Sequence, residues 1–488
     1  MNLVNDPWIP VVMRDGAPGR VSLRDVFEKG EDIADLAANP CQRIALMRLL
    51  ICVAQAALDG PNDEDDWSMC KPRIAPAALA YLDRWKDRFN LFGEHAFLQV
   101  DGLGTTINSL ADKLDLSLAS GNNPTLFDHE SSPQGRIQAG ALLALNLLVY
   151  QMFSCGGTFS ATVWDNIPTP PNGVRRSPCV EEAMAHTLLR GHNIFETIHL
   201  NLITEAQITS LPNMKRGRPC WEETCLDRES SEKQTSSYLG RLVPMSRAIR
   251  LFENSSSIVL GEAMRYPQLP EQRDPFGTVY DTGKARLGKS TNLTYLSVNP
   301  EAAAWRELAS VLSLQALDSS LGTVGAFNLQ HLRTIQAREF DVWIGGLSLN
   351  QAKVIDMCEW SFRLSSSLLD TLVLNRYRKG VEWANTAKQT LADAIKRFAA
   401  AQKAESGIWR QQAVGLFWSY LDAESLILQS CVADDGRLFQ TWMPIIHSAL
   451  LAAYDRTCPH ETPRQIQAYA QGLKVLQAWK KERDRHGT

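Results

Sequence analysis

The segment GKARLGKS, residues 283–290, has the residue types and spacing of a phosphate-binding loop. In such a loop, backbone amides surround the phosphates, a lysine (here Lys289) contacts the terminal phosphates, and the next hydroxyl (Ser290) binds magnesium. That chemistry requires a helix directly after the loop, whereas the following TNLTYLSV alternates like a β-strand. A basic hairpin turn is favoured, and an NTPase or nuclease using this segment is the alternative. In either case Lys284, Arg286 and Lys289 are candidate phosphate contacts.

Other patterns with catalytic potential are weaker. Glu182 and His186 are four residues apart and would share one face of a helix, but no HExxH motif or dense His/Asp cluster accompanies them. The acidic segment ADDGR, 433–437, lacks the histidine or third acid of a two-metal nuclease site. No GxSxG motif and no CxxC pair occur. From these patterns we predict no metal, no cofactor and no catalytic residues.

Charge is unevenly distributed along the 488 residues. The chain has 50 Lys and Arg against 54 Asp and Glu, a net of −4, which argues against a wholly basic nucleic-acid-binding protein. From Ser361 onward, 17 basic and 12 acidic residues give +5, so the remaining 33 and 42 give −9. A basic C-terminal part could contact a polyanion, and a solvated surface is the alternative.

The chain also carries features that bear on its location. We find no run of 18 apolar residues, and the opening MNLVNDPWIPVVMRDG lacks the basic start and unbroken apolar stretch of a signal peptide. The ten cysteines are mostly scattered singly, which is typical of buried thiols in a reducing compartment. We therefore expect a cytoplasmic protein without a membrane span.

Two glycine pairs and an amide pair remain as candidate recognition elements. In DVWIGGLSLNQAKV, 341–354, we expect Gly345 and Gly346 to turn the chain and Asn350-Gln351 to lie just ahead of a helix. The second glycine pair lies in SCGGTF, 154–159. Glycines permit close approach to nucleic acid, amides can read base edges, and small wedges can part stacked bases. Ordinary turns are the alternative for each.

The hydrophobic pattern predicts an α+β fold. A hairpin is expected in the first thirty residues, followed by a helix over 39–58 capped by Asn39, a polar loop over 61–74 and a helix over 76–92. Alternating segments predict strands between 240 and 298. The pattern then predicts a large mixed α/β N-terminal domain, 1–363, and a C-terminal four-helix bundle, 364–488. The bundle helices are expected at 364–402, 407–430, 437–455 and 461–484.

Four segments together resemble a known family. NLVNDPWIPV, NPCQRIALMRLLICVAQAAL, LFGEHAFLQV and WIGGLSLNQAKV, in this order, are similar to the CasA family, the large subunit of the type I-E CRISPR surveillance complex, Cascade. The resemblance covers nearly the whole chain and is looser at 160–235 and 255–290. It implies a mixed α/β domain followed by a four-helix bundle, and the pattern agrees with this from Leu364 on.

The resemblance implies a non-catalytic role. The subunit would recognise the protospacer-adjacent motif on double-stranded DNA, mainly from the minor groove, and start strand separation for R-loop formation. It would then recruit the helicase-nuclease. The implied partners are the other Cascade subunits, the guide CRISPR RNA, the target DNA and that helicase-nuclease.

The resemblance also implies which residues act. DNA-motif binding falls to three elements, namely a glycine loop (Gly156, Gly157), a lysine-finger position where only Arg265 is basic, and a wedge (Asn350, Gln351). A loop at 121–135 would dock on the 5′ handle of the guide RNA through Phe127. The paired cysteines of some members are absent from the matching positions, 139–142 and 252–257, so no zinc is expected.

Overall fold

The computed structural model describes the chain except residues 106–107, 119–135, 165–166, 170–171, 175, 224–227, 284–291, 315–321 and 487–488. Phe127, Lys284, Arg286 and Lys289 lie outside the described residues, so their assigned roles stay predictions. The chain divides into two compact units. The N-terminal unit comprises 1–302, 313–336 and 340–363, and the helical unit comprises 303–312, 337–339 and 364–488.

The N-terminal unit combines helices with several small sheets, and the predicted α+β fold is confirmed. Its helices are α1 Leu23–Lys29, α2 Pro40–Leu58, α3 Glu64–Trp85, α4 Gly140–Phe153, α5 Ile194–Leu200, α6 Glu205–Ser210, α7 Arg228–Thr235 and α8 Tyr238–Leu242. Its strands are β1 Ile9–Met13, β2 Pro18–Val21, β3 Ile33–Leu36, β4 Gly104–Thr105, β5 Ser109–Leu110, β6 Gly157–Phe159, β7 Thr162–Trp164, β8 Ile167–Thr169, β9 Asn172–Val174, β10 His186–Arg190, β11 Arg247–Leu251, β12 Ser257–Ala263, β13 Val279–Asp281, β14 Leu293–Tyr295, β15 Thr323–Val324, β16 Glu339–Asn350 and β17 Lys353–Ser365. The sheet orders are β2-β1-β3, β10-β16-β17, β11-β12-β5, β14-β13-β15, β4-β7-β8 and β6-β9.

The predicted first hairpin and first long helix are confirmed. β1 pairs antiparallel with β2, and Asn39 caps α2 in a reciprocal capping box with Gln42. Among the described helices, α2 alone is long and apolar enough to cross a membrane, but 72% of its apolar window is buried inside the protein. A helix buried on nearly all sides reads as apolar throughout, so α2 is explained as a core helix.

The predicted boundary of the next helix is wrong. The sequence predicts a loop over residues 61–74, but α3 begins at Glu64 and contains Pro72 and Pro76. Asp63 accepts a hydrogen bond from the backbone of Asp66, so the acidic stretch forms the capped first turn. Burial of Trp67, among other residues, then holds this turn against the core.

The phosphate-loop lookalike joins two antiparallel strands. β13 ends at Asp281 and pairs with β14, where Val279 is opposite Tyr295 and Asp281 is opposite Leu293. The segment that follows the lookalike is therefore a strand, not the helix that a phosphate-binding loop requires. The predicted hairpin is confirmed at the level of its flanking strands.

A buried ionic cluster crosses the N-terminal unit. The Arg48 guanidinium donates to Asp274 at 3.2 and 3.0 Å and to the carbonyls of Arg241 and Leu242. Arg241 is equally buried and lies 3.5 Å from Glu181. Burial by itself would raise the pKa of Asp274, but Arg48, His186 and Arg241 outweigh it and hold this pKa at about 2.

The helical unit contains α9 Leu308–Val311, α10 Thr371–Gln402, α11 Gly407–Ala423, α12 Ser425–Cys431, α13 Asp435–Thr457 and α14 Pro463–His486. The long α10 packs against α11, α13 and α14, so the four long helices form a bundle. The first helix starts at 371 instead of 364, because β17 runs to Ser365 and Asp370 caps α10. The predicted second helix is broken at Glu424 into α11 and α12.

Candidate nucleic-acid interface

The Asn350-Gln351 pair lies at the tip of a long hairpin. β16 ends at Asn350, β17 starts at Lys353, and the two strands are neighbours in one sheet. The expectation of a helix after the pair is wrong. Gln351 has a φ of +57°, and residues 350–353, which we call the hairpin tip, are exposed. Two neutral amide side chains are therefore presented to solvent at the end of a two-stranded arm.

Gly345 and Gly346 do not turn the chain, contrary to the prediction. Both lie buried inside β16, where the strand packs most closely. A Cβ on Gly345 would clash with the Trp343 ring and would lie 2.9 Å from the Cys358 carbonyl oxygen. A Cβ on Gly346 would lie 2.7 Å from the Met184 carbonyl oxygen. The glycines are needed because neighbouring backbone leaves no room for a side chain.

We expect Gly346→Ala to destabilise the protein by about 1–3 kcal/mol, because the added methyl group forces the backbone at Met184 to move. The measurement is thermal and denaturant unfolding of the pure chain. Gly415→Ala is the matched control: Gly415 lies in α11, and a methyl group added there would meet nothing within 4 Å, so alanine should stabilise by about 0.5–1 kcal/mol. Equal effects of the two changes would contradict the close-packing explanation.

The first glycine pair forms a loop of unusual backbone geometry. α4 ends at Phe153, and residues 154–157, which we call the glycine loop, lead into β6. Gly156 has a φ of +86° and Gly157 a φ of +124°, which residues with a Cβ rarely adopt. Among the described residues, a Cβ on Gly157 would meet no atom within 4 Å, so the requirement for glycine is conformational. As far as the described residues show, the backbone at Gly157 can be approached closely.

One arginine connects the glycine loop to the hairpin tip. The Ser177 amide donates to the Ser154 carbonyl oxygen at 2.9 Å. The neighbouring Arg176 extends its guanidinium in the other direction, where Nη2 donates to the Gln351 carbonyl oxygen at 2.6 Å. Sequence reasoning did not assign a role to Arg176, and its only signal was a basic pair at 175–176 in an irregular stretch.

Arg265 belongs to the same neighbourhood. It follows the end of β12, its side chain is exposed, and its backbone amide donates to Glu232 at 2.9 Å. The next residue, Tyr266, is buried and donates its hydroxyl to the carbonyl oxygen of Arg176. The hairpin tip therefore contacts Arg176 itself, and the glycine loop contacts the next residue, Ser177. Tyr266, the residue after the predicted lysine-finger position, contacts the Arg176 carbonyl oxygen.

Buried arginines support this arrangement from below. Arg241 of the ionic cluster lies over the Tyr266 ring at 5.5 Å. Arg247 donates to the Ser154 hydroxyl at 3.1 Å and lies over the Phe159 ring at 5.6 Å. Burial lowers the pKa of Arg247. Charged groups in the interior thus hold the residues at the base of the site.

The site offers hydrogen bonds and positive charge. Asn350 and Gln351 carry donors and acceptors that do not titrate, and Arg176 and Arg265 add guanidinium groups. Cys155 is the thiol in the glycine loop, and burial raises its pKa to about 11 although Arg176 and Arg247 oppose this. A thiol protonated at neutral pH is a poor nucleophile. This chemistry suits recognition of bases and phosphates.

Glu182 and His186, the candidate metal ligands in the sequence, bind backbone groups of the protein instead. Glu182 binds the backbone amide of Tyr295 at 3.0 Å, and His186 lies in β10 with Nε2 3.1 Å from the Cys179 carbonyl oxygen. They do not share a helix face, since β10 is a strand. Burial lowers the pKa of His186 to about 4. Within the described residues, no group of three or more His, Cys, Asp or Glu side chains could hold a metal ion.

A family model described as CRISPR-associated protein Cse1 matches residues 2–453. The chain belongs to the Cse1 family. The Cse1 match and a relative named CasA/Cse1 confirm the resemblance drawn from the four sequence segments. That relative, from Thermus thermophilus, is 28% identical over 516 aligned residues, which cover 96% of this chain and 95% of the relative.

Solved Cse1 structures share the fold. Thermobifida fusca Cse1 has a TM-score of 0.82 at 20% identity, covering 100% of this chain and 98% of that one. Thermus thermophilus CasA (Cse1) has a TM-score of 0.80 at 23% identity, covering 99% of each. A chain from a structure described as a CRISPR RNA-guided surveillance complex has a TM-score of 0.76 at 18% identity, covering 98% of this chain and 99% of that one.

Proposed function

We propose that this Cse1 family member is a non-catalytic large subunit of a type I-E Cascade complex. It recognises the protospacer-adjacent motif in double-stranded DNA and starts strand separation. The observation that carries the proposal is the connection of the hairpin tip, the glycine loop and Arg265 through Arg176 and Tyr266. Three segments far apart in sequence are thereby connected, and the described residues contain no group of three or more His, Cys, Asp or Glu side chains that could hold a metal ion.

Only a small free-energy difference has to be supplied to start R-loop formation. Forming the R-loop exchanges one duplex for another of similar stability, so a modest wedge and a few backbone contacts can bias it. Amides at the hairpin tip can replace stacking and pairing interactions at the parted step, which charged side chains cannot do as well. The minor groove distinguishes mainly A·T from G·C, so we expect several related motifs to be accepted.

The remaining parts of the proposal concern partners and location. We infer that the chain works with other Cascade subunits, guide CRISPR RNA and target DNA in the cytoplasm, and that it recruits the helicase-nuclease. Phe127 is the proposed contact with the guide-RNA handle. The family match and the likeness to a chain of a surveillance complex support this assembly. A basic helical unit that guides the displaced strand is a further hypothesis.

The deciding experiment uses the complex reconstituted with guide RNA. Binding and unwinding are compared on duplexes that differ only in the adjacent motif, with and without this chain. Changing both Asn350 and Gln351 to Ala should reduce motif-dependent unwinding about tenfold or more, because the wedge atoms are removed while the hairpin remains. A scaffold without a recognition role would leave unwinding unchanged. No difference between motifs with the unaltered chain would exclude the proposed function.

Lys289→Ala is the control and also tests the enzymatic alternative. If Lys289 is only a residue of the segment that joins two antiparallel strands, the change should leave motif-dependent binding largely intact. The alternative predicts NTP hydrolysis by the pure chain that this substitution abolishes. Observing that activity and its loss would contradict a non-catalytic role.

A further inference from the structure

Arg176 is not one of the expected recognition residues, but it contacts one of them, Gln351. Its guanidinium Nη2 lies 2.6 Å from the Gln351 carbonyl oxygen, across 175 residues of sequence. A hydrogen bond from a charged donor is among the stronger ones that a carbonyl can accept. Its acceptor belongs to the residue with the left-handed φ of +57° at the hairpin tip. The contact therefore acts on the peptide whose conformation determines the direction of the tip.

The backbone of Arg176 is itself fixed on both sides. The buried Tyr266 hydroxyl donates to the Arg176 carbonyl oxygen. At the next residue, the Ser177 amide donates to the Ser154 carbonyl oxygen and the Ser177 hydroxyl lies 2.7 Å from the Ser246 hydroxyl. Ser177 and Ser246 are both buried. Arg176 thus extends from a base held by buried residues beside the glycine loop to the exposed tip of the hairpin.

We propose that Arg176 is a positioning residue that holds the hairpin tip in a fixed place relative to the glycine loop. Residues 350–353 at the tip are exposed beyond the packed part of the hairpin, and a site must be held in a fixed geometry if two amides are to meet one base step. The guanidinium supplies that support through the main chain and leaves the Asn350 and Gln351 side chains free. The consequence for DNA recognition rests on the proposed function.

Positioning and direct DNA contact predict different results. A cation that neutralises a phosphate changes affinity for all sequences and contributes about one unit to the slope of log K against log salt. A residue that only orders the tip changes discrimination between motifs and leaves this slope nearly unaltered. Arg265, whose side chain is exposed, is the comparison residue for the phosphate type of contact.

The experiment measures affinity of the reconstituted complex for matched and altered motifs at several salt concentrations. We expect Arg176→Ala to reduce the affinity ratio of the two duplexes about tenfold at an unchanged salt slope. Arg176→Lys should restore part of the ratio, because lysine can donate to the carbonyl but lacks the planar fork. Arg265→Ala should lower the slope by about one unit.

Hydrogen exchange on the free chain tests the same contact without DNA. Arg176→Ala should speed exchange at residues 348–354 and leave α2 unchanged. An unaltered exchange rate overturns the proposal, as does a lowered salt slope with an unchanged motif ratio. If Arg176→Ala keeps the motif ratio while the Asn350 and Gln351 double change loses it, the positioning role fails and the proposed function stands. If the unaltered complex shows no motif preference, the proposed function fails, and hydrogen exchange still decides the contact.

Discussion

Asp274→Ala should destabilise the N-terminal unit by about 3–5 kcal/mol, because it leaves two buried guanidinium groups without their shared carboxylate. Arg48 and Arg241 are each 1% exposed, and Asp274 is fully buried. The Asp274 carboxylate also accepts the backbone amide of Phe276 at 3.0 Å. Hydrogen exchange and denaturant unfolding of the pure chain measure the effect, which should appear as faster exchange in α2.

A surface aspartate provides the matched control. Asp341 forms two hydrogen bonds of 2.9 Å with Arg363, whose side chain is 67% exposed. Water screens and replaces this pair, so Asp341→Ala should cost less than about 1 kcal/mol. Similar losses for both changes would show that burial of the cluster is not what makes Asp274 important.

Asp274 also makes the free energy of unfolding depend on pH. The pKa of Asp274 is lowered from an ordinary 3.8 to about 2 in the folded chain. Its contribution is therefore fully present above the unfolded value and is lost as pH falls through the folded value. The difference in unfolding free energy between the unaltered chain and Asp274→Ala should be constant from about pH 5 to 8 and shrink below about pH 4.

Trp305→Ala should destabilise the helical unit by about 3–5 kcal/mol, because it opens a large cavity against the bundle. Trp305 is 2% exposed, meets Trp442 edge-on at 6.1 Å and donates its indole N–H to Asp422 at 2.7 Å. Its carbonyl oxygen accepts the Tyr377 hydroxyl at 2.8 Å. We expect faster hydrogen exchange in α10 and α13. The helical circular dichroism signal should also be lost at a lower denaturant concentration.

Trp383 is the control for this change. It lies half-buried in α10, edge-on to Phe439 at 6.0 Å, with Lys379 5.4 Å above its ring. Removal of a ring that is partly in water should cost about 1–2 kcal/mol. If Trp305→Ala cost no more than Trp383→Ala, residues 303–312 would not be an integral part of the helical unit.

The helical unit shows where a boundary drawn from sequence falls short. The long helices were predictable, because their apolar spacing and caps are local signals, such as Asp434 at the start of α13. The predicted 364–488 bundle did not include 303–312. The sequence predicts only that a helix follows Glu301. The attachment of this segment depends on Asp422 and Arg306, which are 116 residues apart and bond at 3.0 Å.

The candidate site, too, was only partly predictable from the sequence. The residue types at 156–157, 265 and 350–351 were readable in the sequence, and the resemblance gave them roles that stay predictions. The pattern at 339–349 is β-like, but the sequence could not show that Gly345 and Gly346 continue this strand instead of turning the chain. A glycine required by φ and a glycine required by close packing look identical until the neighbouring backbone is known.

By itself, the sequence determined the α+β composition, the capped helix over 39–58, the family and the types of residue available for recognition. Only the tertiary structure decided that the amide pair forms a hairpin tip, that three segments connect through Arg176, and that Arg48, Asp274 and Arg241 share one buried cluster. The reason is the separation in sequence between the residues that interact. Caps and periodicity act within a few residues, whereas these contacts join residues between 33 and 226 positions apart, which no local pattern records.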